Sequence, residues 1–506
     1  MQLPPRLRGV VAFALSLGTF MPVLDTTIAN VSLPTIAGNL GVSPSQGTWI
    51  ITSYALANGI SVPLTGWLME RFGVVRTFTV SVLLFTLASF LCGIAWSFPV
   101  LLAFRVLQGA LAGPMIPGSQ TLLLAIFPAS RRGTALAIWS MTTLVAPVLG
   151  PLLGGYISDN WSWPWIFLIN VPIGLLSAAM CWGALRAHET ARRRVPVDVV
   201  GLVMLVVWVG ALQLMLDNGK DADWFASPFI VVLAVITAIG FCAFLIWELN
   251  EPHPIVDLRY FRMRNFTLGV LMACIGYAVF FGNLVILPLW LQTQLGYTAT
   301  WAGLVQAPNG LVAVLLAPFA GRLVHRYDAR GFTVFALLVL AASLYMRSLL
   351  NTQAAYVDVV LPMLVQGVSI AFFFVATMTI TLDRIPPAGI PAAAGLSNFV
   401  RITASAFATS IATTMWDDRE VLHQSRLAEA TSVFDPRLQQ VTQVTGPPGT
   451  DTLQALDLLT RGLVQQAYTL SSLDIFWLSA VLLLPLVALV WLARRPQTVS
   501  ELPATD

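Results

Sequence analysis

Apolar stretches long enough to cross a lipid bilayer recur along nearly the whole chain, and they set its fold class before any single residue does. A helical crossing takes about 20 apolar residues. Fourteen candidates are read near residues 9–31, 48–69, 78–96, 99–124, 133–157, 165–185, 199–216, 228–247, 267–291, 301–320, 332–349, 357–381, 391–415 and 473–492. In hydrocarbon each backbone N–H and C=O must be satisfied within its own segment, so such stretches are helices. The first follows Arg6 and Arg8, but it is too long for a signal-peptide core and reads as a retained span. Only 10% of the 506 residues are charged, whereas soluble domains carry about 25%. No basic cluster suited to nucleic acid occurs.

Charge placement orients the chain. With the N-terminus in the cytoplasm, cytoplasmic segments hold 19 of the 27 Lys and Arg. The outer side holds six: Lys220, Arg347, Arg419, Arg426, Arg437 and Arg461. Arg105 and Arg401 stay inside spans. The positive-inside rule therefore favours a multi-pass protein of the bacterial inner (plasma) membrane with both termini cytoplasmic. Cys92, Cys181, Cys242 and Cys274 all fall in spans and imply no disulfide framework. The four histidines fall in loops, so neither a metal site nor a histidine proton relay is expected in the membrane.

The chain repeats itself. Gly66-Trp-Leu68-Met-Glu70-Arg71-Phe72 returns as Gly321-Arg-Leu323-Val-His-Arg326-Tyr327, 255 residues on. Gln108-Gly109 returns as Gln366-Gly367 and Leu33-Pro34 as Leu287-Pro288, at nearly the same offset. The layout resembles the major facilitator fold, whose halves are related by an axis along the membrane normal. The expected architecture is all-α, with 14 transmembrane helices in two six-helix bundles plus two inserted helices. Residues 1–190 form the first bundle and residues 191–250 the insert. Residues 251–506 form the second bundle, with a periplasmic loop at about 416–471. Substrate is then expected near the midplane, between the halves.

Within the first span, Asp25 is the sole charge between Val10 and Val31. A carboxylate at that depth costs kilocalories to insert and reads as a functional site with a partner. It either titrates, coupling transport to protons, or is a permanently paired structural charge. Arg105, a few residues into the fourth span, is its candidate partner; a loop carboxylate such as Glu70 is the alternative. Gln108 lies one turn on from Arg105, on the same face. The second half has Met363 where the first has Arg105, and no acid near residue 279, so the titrating groups are expected in the first half.

Other polar positions are weighed as substrate contacts or simple helix bridges: Asn30, Tyr54, Asn58, Gln108, Asn283, Gln366, Asn398 and Arg401. Tyr54, Asn58, Ser61 and Thr65 share one helix face. The fifth span carries Pro147, Gly150, Pro151, Gly154 and Gly155, either a seal between the halves or ordinary close packing. Glu70 and Arg71 with Arg76, Arg131 and Arg132 form either a cytoplasmic latch or only the orientation signal. Trp161, Trp163 and Trp165 read as interface anchors. Residues 451–470 form an amphipathic helix with a Leu453–Leu470 stripe and Asp451 as its cap, either docking a partner or acting as a lid. No phosphate-binding loop is present, so energy comes from an ion gradient or from the substrate's own gradient.

At this point a family resemblance becomes specific. Leu24-Asp25-Thr26-Thr27-Ile28-Ala29-Asn30-Val31-Ser32-Leu33-Pro34, Gly150-Pro151-Leu-Leu-Gly154-Gly155, Trp165-Ile-Phe167-Leu-Ile-Asn170-Val-Pro172-Ile-Gly174 and Leu396-Ser-Asn398-Phe399-Val-Arg401 resemble the EmrB-type multidrug exporters. These are the fourteen-span drug:proton antiporters of the major facilitator superfamily. The resemblance implies export of hydrophobic drug-like small molecules in exchange for protons, with no other cofactor and no enzymatic activity. It also implies a periplasmic membrane fusion protein (EmrA-like) and an outer-membrane channel (TolC-like) as partners. Glu70 stands where the family usually has Asp, and Pro164 where it has Arg. A proton-coupled symporter importing a small metabolite is the alternative function.

Overall fold

The computed structural model describes residues 4–42, 44–47, 49–127, 132–190, 192, 196–220, 222–252, 254–386, 389–430 and 452–496. Among these, the regular structure is helical throughout. The first half comprises α1 (Pro5–Leu40), α2 (Pro44–Gly47), α3 (Trp49–Ser61), α4 (Thr65–Phe72), α5 (Val74–Gly93), α6 (Phe98–Ala112), α7 (Met115–Ile126), α8 (Arg132–Asn160), α9 (Trp165–Leu168) and α10 (Asn170–Leu185). Next come α11 (Val199–Gly219) and α12 (Pro228–Asn250). The second half comprises α13 (Arg264–Thr293), α14 (Ala299–Arg326), α15 (Ala329–Ser348), α16 (Tyr356–Thr381), α17 (Ile390–Ala430) and α18 (Thr452–Leu492).

Helix covers every stretch expected to span, and eleven segments among the described residues are long and apolar enough to cross a membrane. The second and fourth expected spans are each divided. Pro63 and Pro114 lack the N–H that would continue the ladder, so α3 gives way to α4 and α6 to α7. Proline does not break α1, which runs unbroken past Pro22 and Pro34.

Each half has its own core. In the first, Val11, Leu15, Phe78, Phe85 and Leu122 are sealed among α1, α5, α7 and α10. In the second, Leu337, Leu340, Phe373, Leu483 and Val490 join α15, α16 and α18. The α11–α12 pair packs through α11 on α3 and α17. The halves meet along α8 and α14, and along α17 against α3, α4 and α7.

The repeat is visible in the packing. A Cβ on Gly109 would strike the carbonyl oxygen of Tyr54, and one on Gly367 would strike that of Asn309. Only glycine permits either approach, and Tyr54 and Asn309 are again 255 residues apart.

Arg347, counted with the outer-side charges, lies in the last turn of α15 and is 1% exposed, so it is sealed within the bundle. The outer segment is less a loop than a continuation of its flanking helices. Both α17 and α18 have 41 residues, about 60 Å at 1.5 Å per residue and twice the ~30 Å hydrocarbon core. Residues 431–451, with the expected cap Asp451, lie outside the described residues, as do the side chains of Leu453, Leu456 and Leu459. Of the rest of that stripe, Ala467 is fully buried while Leu463 and Leu470 are half-buried; off the stripe, Thr469 accepts from Trp290 Nε1 at 3.1 Å and Ser472 accepts from Trp416 Nε1 at 2.8 Å.

A buried four-helix polar network is the candidate functional site

Asp25, Tyr54, Arg105, Gln108 and Asn170 come from α1, α3, α6 and α10 and meet with no solvent exposure. The Arg105 guanidinium is the partner of Asp25, and the alternative pairing with Glu70 is excluded, since Glu70 is exposed. Arg105 Nη1 donates to Asp25 Oδ2 and, at 2.7 Å, to Gln108 Oε1. Its Nε donates to the Ile50 carbonyl at 2.9 Å. Gln108 Nε2 and Asn170 Nδ2 both donate to Asp25 Oδ1, at 3.0 and 3.3 Å. The Tyr54 ring lies 4.3 Å from the guanidinium carbon, within cation–π range.

Burying two charges in a membrane protein costs several kilocalories per ion unless both are paired and hydrogen-bonded. Here the carboxylate takes three side-chain donors, which offsets that cost. Two atoms beside the pair, Arg105 Nη2 and Asn170 Oδ1, are buried without a partner. The network thus has unused hydrogen-bonding capacity beside the pair.

Asn170 carries no charge and belongs to no polar stripe, so residue-level reasoning did not single it out as a site residue. The signal available was its place in the Trp165–Gly174 motif. Ser89 Oγ accepts from Asn170 Nδ2 at 3.0 Å and donates to the Phe167 carbonyl at 2.9 Å, which fixes the amide.

The candidate cavity residues do not converge on one place. Tyr54 and Gln108 belong to the network above. Asn58, Ser61 and Thr65 are buried with Tyr54, and Ser61 Oγ donates to the Ala110 carbonyl, so this face packs on α6 instead of lining open space. Asn30 is half-buried on α1. Asn283 bridges helices, donating to Val279 O at 2.7 Å and Ser479 Oγ at 3.0 Å. Gln366 is buried against Arg347. Arg401 lines a cavity within the second half and hydrogen-bonds Asn398, which is not one of the lining residues.

The glycine–proline cluster of α8 is a packing seam on two sides. A Cβ on Gly154 would sit 2.8 Å from Ile28 O of α1, and one on Gly303 of α14 would sit 2.7 Å from Pro151 O. Gly150 is packed against Thr27 in the same way. At the end of the seam Asp159 accepts from the Thr300 backbone N–H at 3.3 Å, tying the halves together. The side chains of Pro147, Arg131 and Arg132 lie outside the described residues.

The charged residues at the end of α4 and the start of α5 make contacts within the first half. Arg71 stacks on Trp67 and Phe72. Glu189, just beyond α10, caps α5 through the N–H groups of Val75 and Arg76 at 3.0 and 2.8 Å. An anion at a helix N-terminus is a favourable pairing. Trp161 and Trp165 are exposed, as interface anchors require, while Trp163 is buried on Phe167.

Comparison with known proteins bears on this arrangement. The family model of the Major Facilitator Superfamily matches residues 15–409. The multidrug export protein EmrB of Escherichia coli K12 is 47% identical over 96% of this chain and 95% of its own length. The fatty acid resistance protein FarB of Neisseria gonorrhoeae is 45% identical over 97% of this chain and 98% of its own. Among solved structures, a POT family transporter gives a TM-score of 0.64 at 13% identity, covering 96% of this chain and 97% of the other. The xylose transporter XylE from E. coli gives 0.58 at 12%, with the same coverage. At those identities the likeness concerns the fold alone.

Proposed function

Because this chain belongs to the Major Facilitator Superfamily, among its EmrB-type multidrug exporters, we propose that its drug efflux is driven by protons through Asp25 and Arg105. The protein is a multi-pass membrane transporter of the multidrug efflux type, which is not an enzyme class. Coupling to protons and assembly with a membrane fusion protein and an outer-membrane channel belong to this reading, as does residence in the inner membrane with cytoplasmic termini.

The single observation that carries it is the buried Asp25–Arg105 pair, cross-braced by Gln108 and Asn170. Arginine stays charged throughout. A proton on Asp25 therefore leaves a cation sealed in the bundle without its counter-charge, a state that favours separation of α1, α6 and α10. Loss of the proton restores the pair. If the proton is taken up from outside and released inside, each cycle alternates the two packings, and drug moves the opposite way.

The energy is adequate. A potential of 100 mV supplies roughly 2.3 kcal/mol per charge, and one pH unit about 1.36 kcal/mol. Their sum supports a gradient on the order of 500-fold for a neutral substrate. Proteoliposomes test the reading: Asp25→Asn should abolish drug accumulation driven by a pH gradient. Full accumulation by that variant refutes the coupling role.

A further inference from the structure

We propose that Asp198 and Glu248 share one buried proton, which locks the adjoining ends of α11 and α12 to the segment leading into α13. The efflux reading enters only for the side of the membrane this end faces and for the effect on transport. The proton itself stands on separate observations.

The two carboxyls are sealed between neighbouring helices. Asp198 caps α11 and is 9% exposed; Glu248, in the last turn of α12, is 2% exposed. Glycine at position 201 lets them meet. A Cβ there would strike Asp198 Oδ2 and lie 2.7 Å from Glu248 Oε1. Those oxygens are therefore within about 5 Å of each other, where two like charges oppose ionisation of both groups.

No cation relieves the pair. Among the described residues neither carboxyl forms an ion pair. The other charges bearing on Glu248 are acidic, Glu251 and Asp257. In the short 3-10 helix Leu258–Arg262, packed against α12, Arg259 and Arg262 are exposed, and Arg259 turns to Asp257.

The hydrogen bonds assign the proton. Asp198 accepts from the Gly201 N–H at 2.8 Å, and from Trp247 Nε1 at 3.0 Å on both oxygens, surroundings that suit a carboxylate. Glu248 Oε2 accepts from the Val256 N–H at 3.2 Å, while Oε1 is buried without a partner. A proton on Oε1 turns that orphan into a donor facing Asp198 Oδ2 and removes one of the two charges from the pocket.

The consequence is mechanical. Glu248 holds Val256, in the segment between α12 and α13, and α11 packs on α3 of the first half and α17 of the second. The shared proton thus closes one end of an insert that touches both halves. Without it two charges remain in one sealed pocket, and separation of α11 from α12 relieves them by admitting water. Asp25 differs, since Arg105 supplies its counter-charge. In the orientation proposed above this end faces the cytoplasm, so the lock opens as that compartment turns alkaline.

The test uses the purified full chain and infrared difference spectra, which read the carbonyl band of protonated carboxyls. Wild type is expected to show a protonated carboxyl at about pH 7 that is missing from Glu248→Gln, whereas an ordinary Glu, with a pKa of about 4.3, is ionised there. In Asp198→Asn the helix cap is kept but the opposing charge is gone. The midpoint for loss of the band should then fall by on the order of one pH unit or more. Identical spectra of wild type and Glu248→Gln overturn the proposal. Should Glu248→Gln lack a cooperative melt, Asp198→Asn decides, and an unmoved midpoint overturns it. Proteoliposomes read the lock. With the pH difference held constant and both sides made more alkaline, ethidium export should slow several-fold more in wild type than in Glu248→Gln, whose amide keeps a donor toward Asp198. Equal slowing overturns the lock. Absence of ethidium export from wild type sinks the efflux reading alone, and the infrared spectra still decide the proton.

Discussion

Cys92 and Arg347 occupy the same place in the two halves. They are 255 residues apart, the offset of the sequence repeat, and each donates to the side-chain oxygen of a repeat-related glutamine. Cys92 Sγ reaches Gln108 Oε1 at 3.5 Å, and Arg347 Nη2 reaches Gln366 Oε1. The first half carries its buried cation on α6, within reach of Asp25. The second carries it on α15, where the residue related to Asp25 is Val279 and no carboxylate among the described residues forms an ion pair with it. Arg347 is instead held by Gln366, the Met363 sulfur at 3.6 Å and the Phe476 ring at 5.9 Å.

This predicts an unusual stability pattern. Arg347→Met should leave the thermal midpoint unchanged or raise it, because replacing a buried unpaired charge by an apolar group of similar length is neutral or stabilising. Gln366→Leu, which strips the guanidinium of its hydrogen bond, should cost about 1–3 kcal/mol. A larger loss in Arg347→Met than in Gln366→Leu would contradict the unpaired assignment.

The Asp25–Arg105 pair predicts non-additive effects. Asp25→Asn leaves Arg105 uncompensated and should cost roughly 3–5 kcal/mol. Adding Arg105→Gln should recover much of that loss, since no charge then remains. Both variants should fail to couple export to protons. A double variant no more stable than Asp25→Asn would show that the pair is not energetically coupled.

Asn170→Ala should weaken both stability and export. A hydrogen bond to a charged group contributes about 1.5–3 kcal/mol, and Asn170 donates one to Asp25 while Ser89 fixes its orientation. Initial export rates at fixed pH gradient, compared with drug binding to the same variant, check this. Impaired binding with normal coupling would place Asn170 elsewhere in the mechanism.

The α8–α14 seam predicts a lockable side. Asp159 and Thr300 touch across the halves, so cysteines at both positions should cross-link on oxidation and arrest transport. Reductant should restore it. Transport that persists in fully cross-linked protein would mean the seam does not open during the cycle.

Asp328 predicts an acid-sensitive contribution. Burial pushes its carboxyl up, but Arg330 outweighs it through Nε at 3.0 Å, Nη2 at 2.7 Å and its backbone N–H at 3.0 Å, holding the group below the usual carboxylate range. The folded value lies below the unfolded one of about 3.9. The contribution is therefore present above that pH and lost as pH falls through the folded value. Asp328→Asn should cost at most about 1 kcal/mol at neutral pH, and melting curves should converge with wild type in acid.

The sequence by itself determined the helical spans, the repeat and the two charges at depth in the first half, with Arg105 as the candidate partner of Asp25. The physical reason is the bilayer: hydrocarbon forces each backbone group to bond within its segment, and it makes any charge at depth so costly that Asp25 and Arg105 had to be answered. Hydropathy and charge are properties of residues, so they are legible without a fold.

The tertiary structure decided what faces what. Arg347 was counted with the outer-side charges because it stands at the outer end of its expected span, and only the packing of α15 on α16 and α18 shows it sealed inside. Asn170 is neutral, and nothing local distinguishes it from a helix-bridging amide; the rotation of α10 against α1 makes it an Asp25 ligand. Asn283, Gln366, Asn398 and Arg401 read alike as polar residues in spans, yet of the four it is Arg401 that lines the cavity. In a helix bundle the face a residue presents depends on how its helix is rotated, and that rotation is set by contacts with segments a hundred or more residues away.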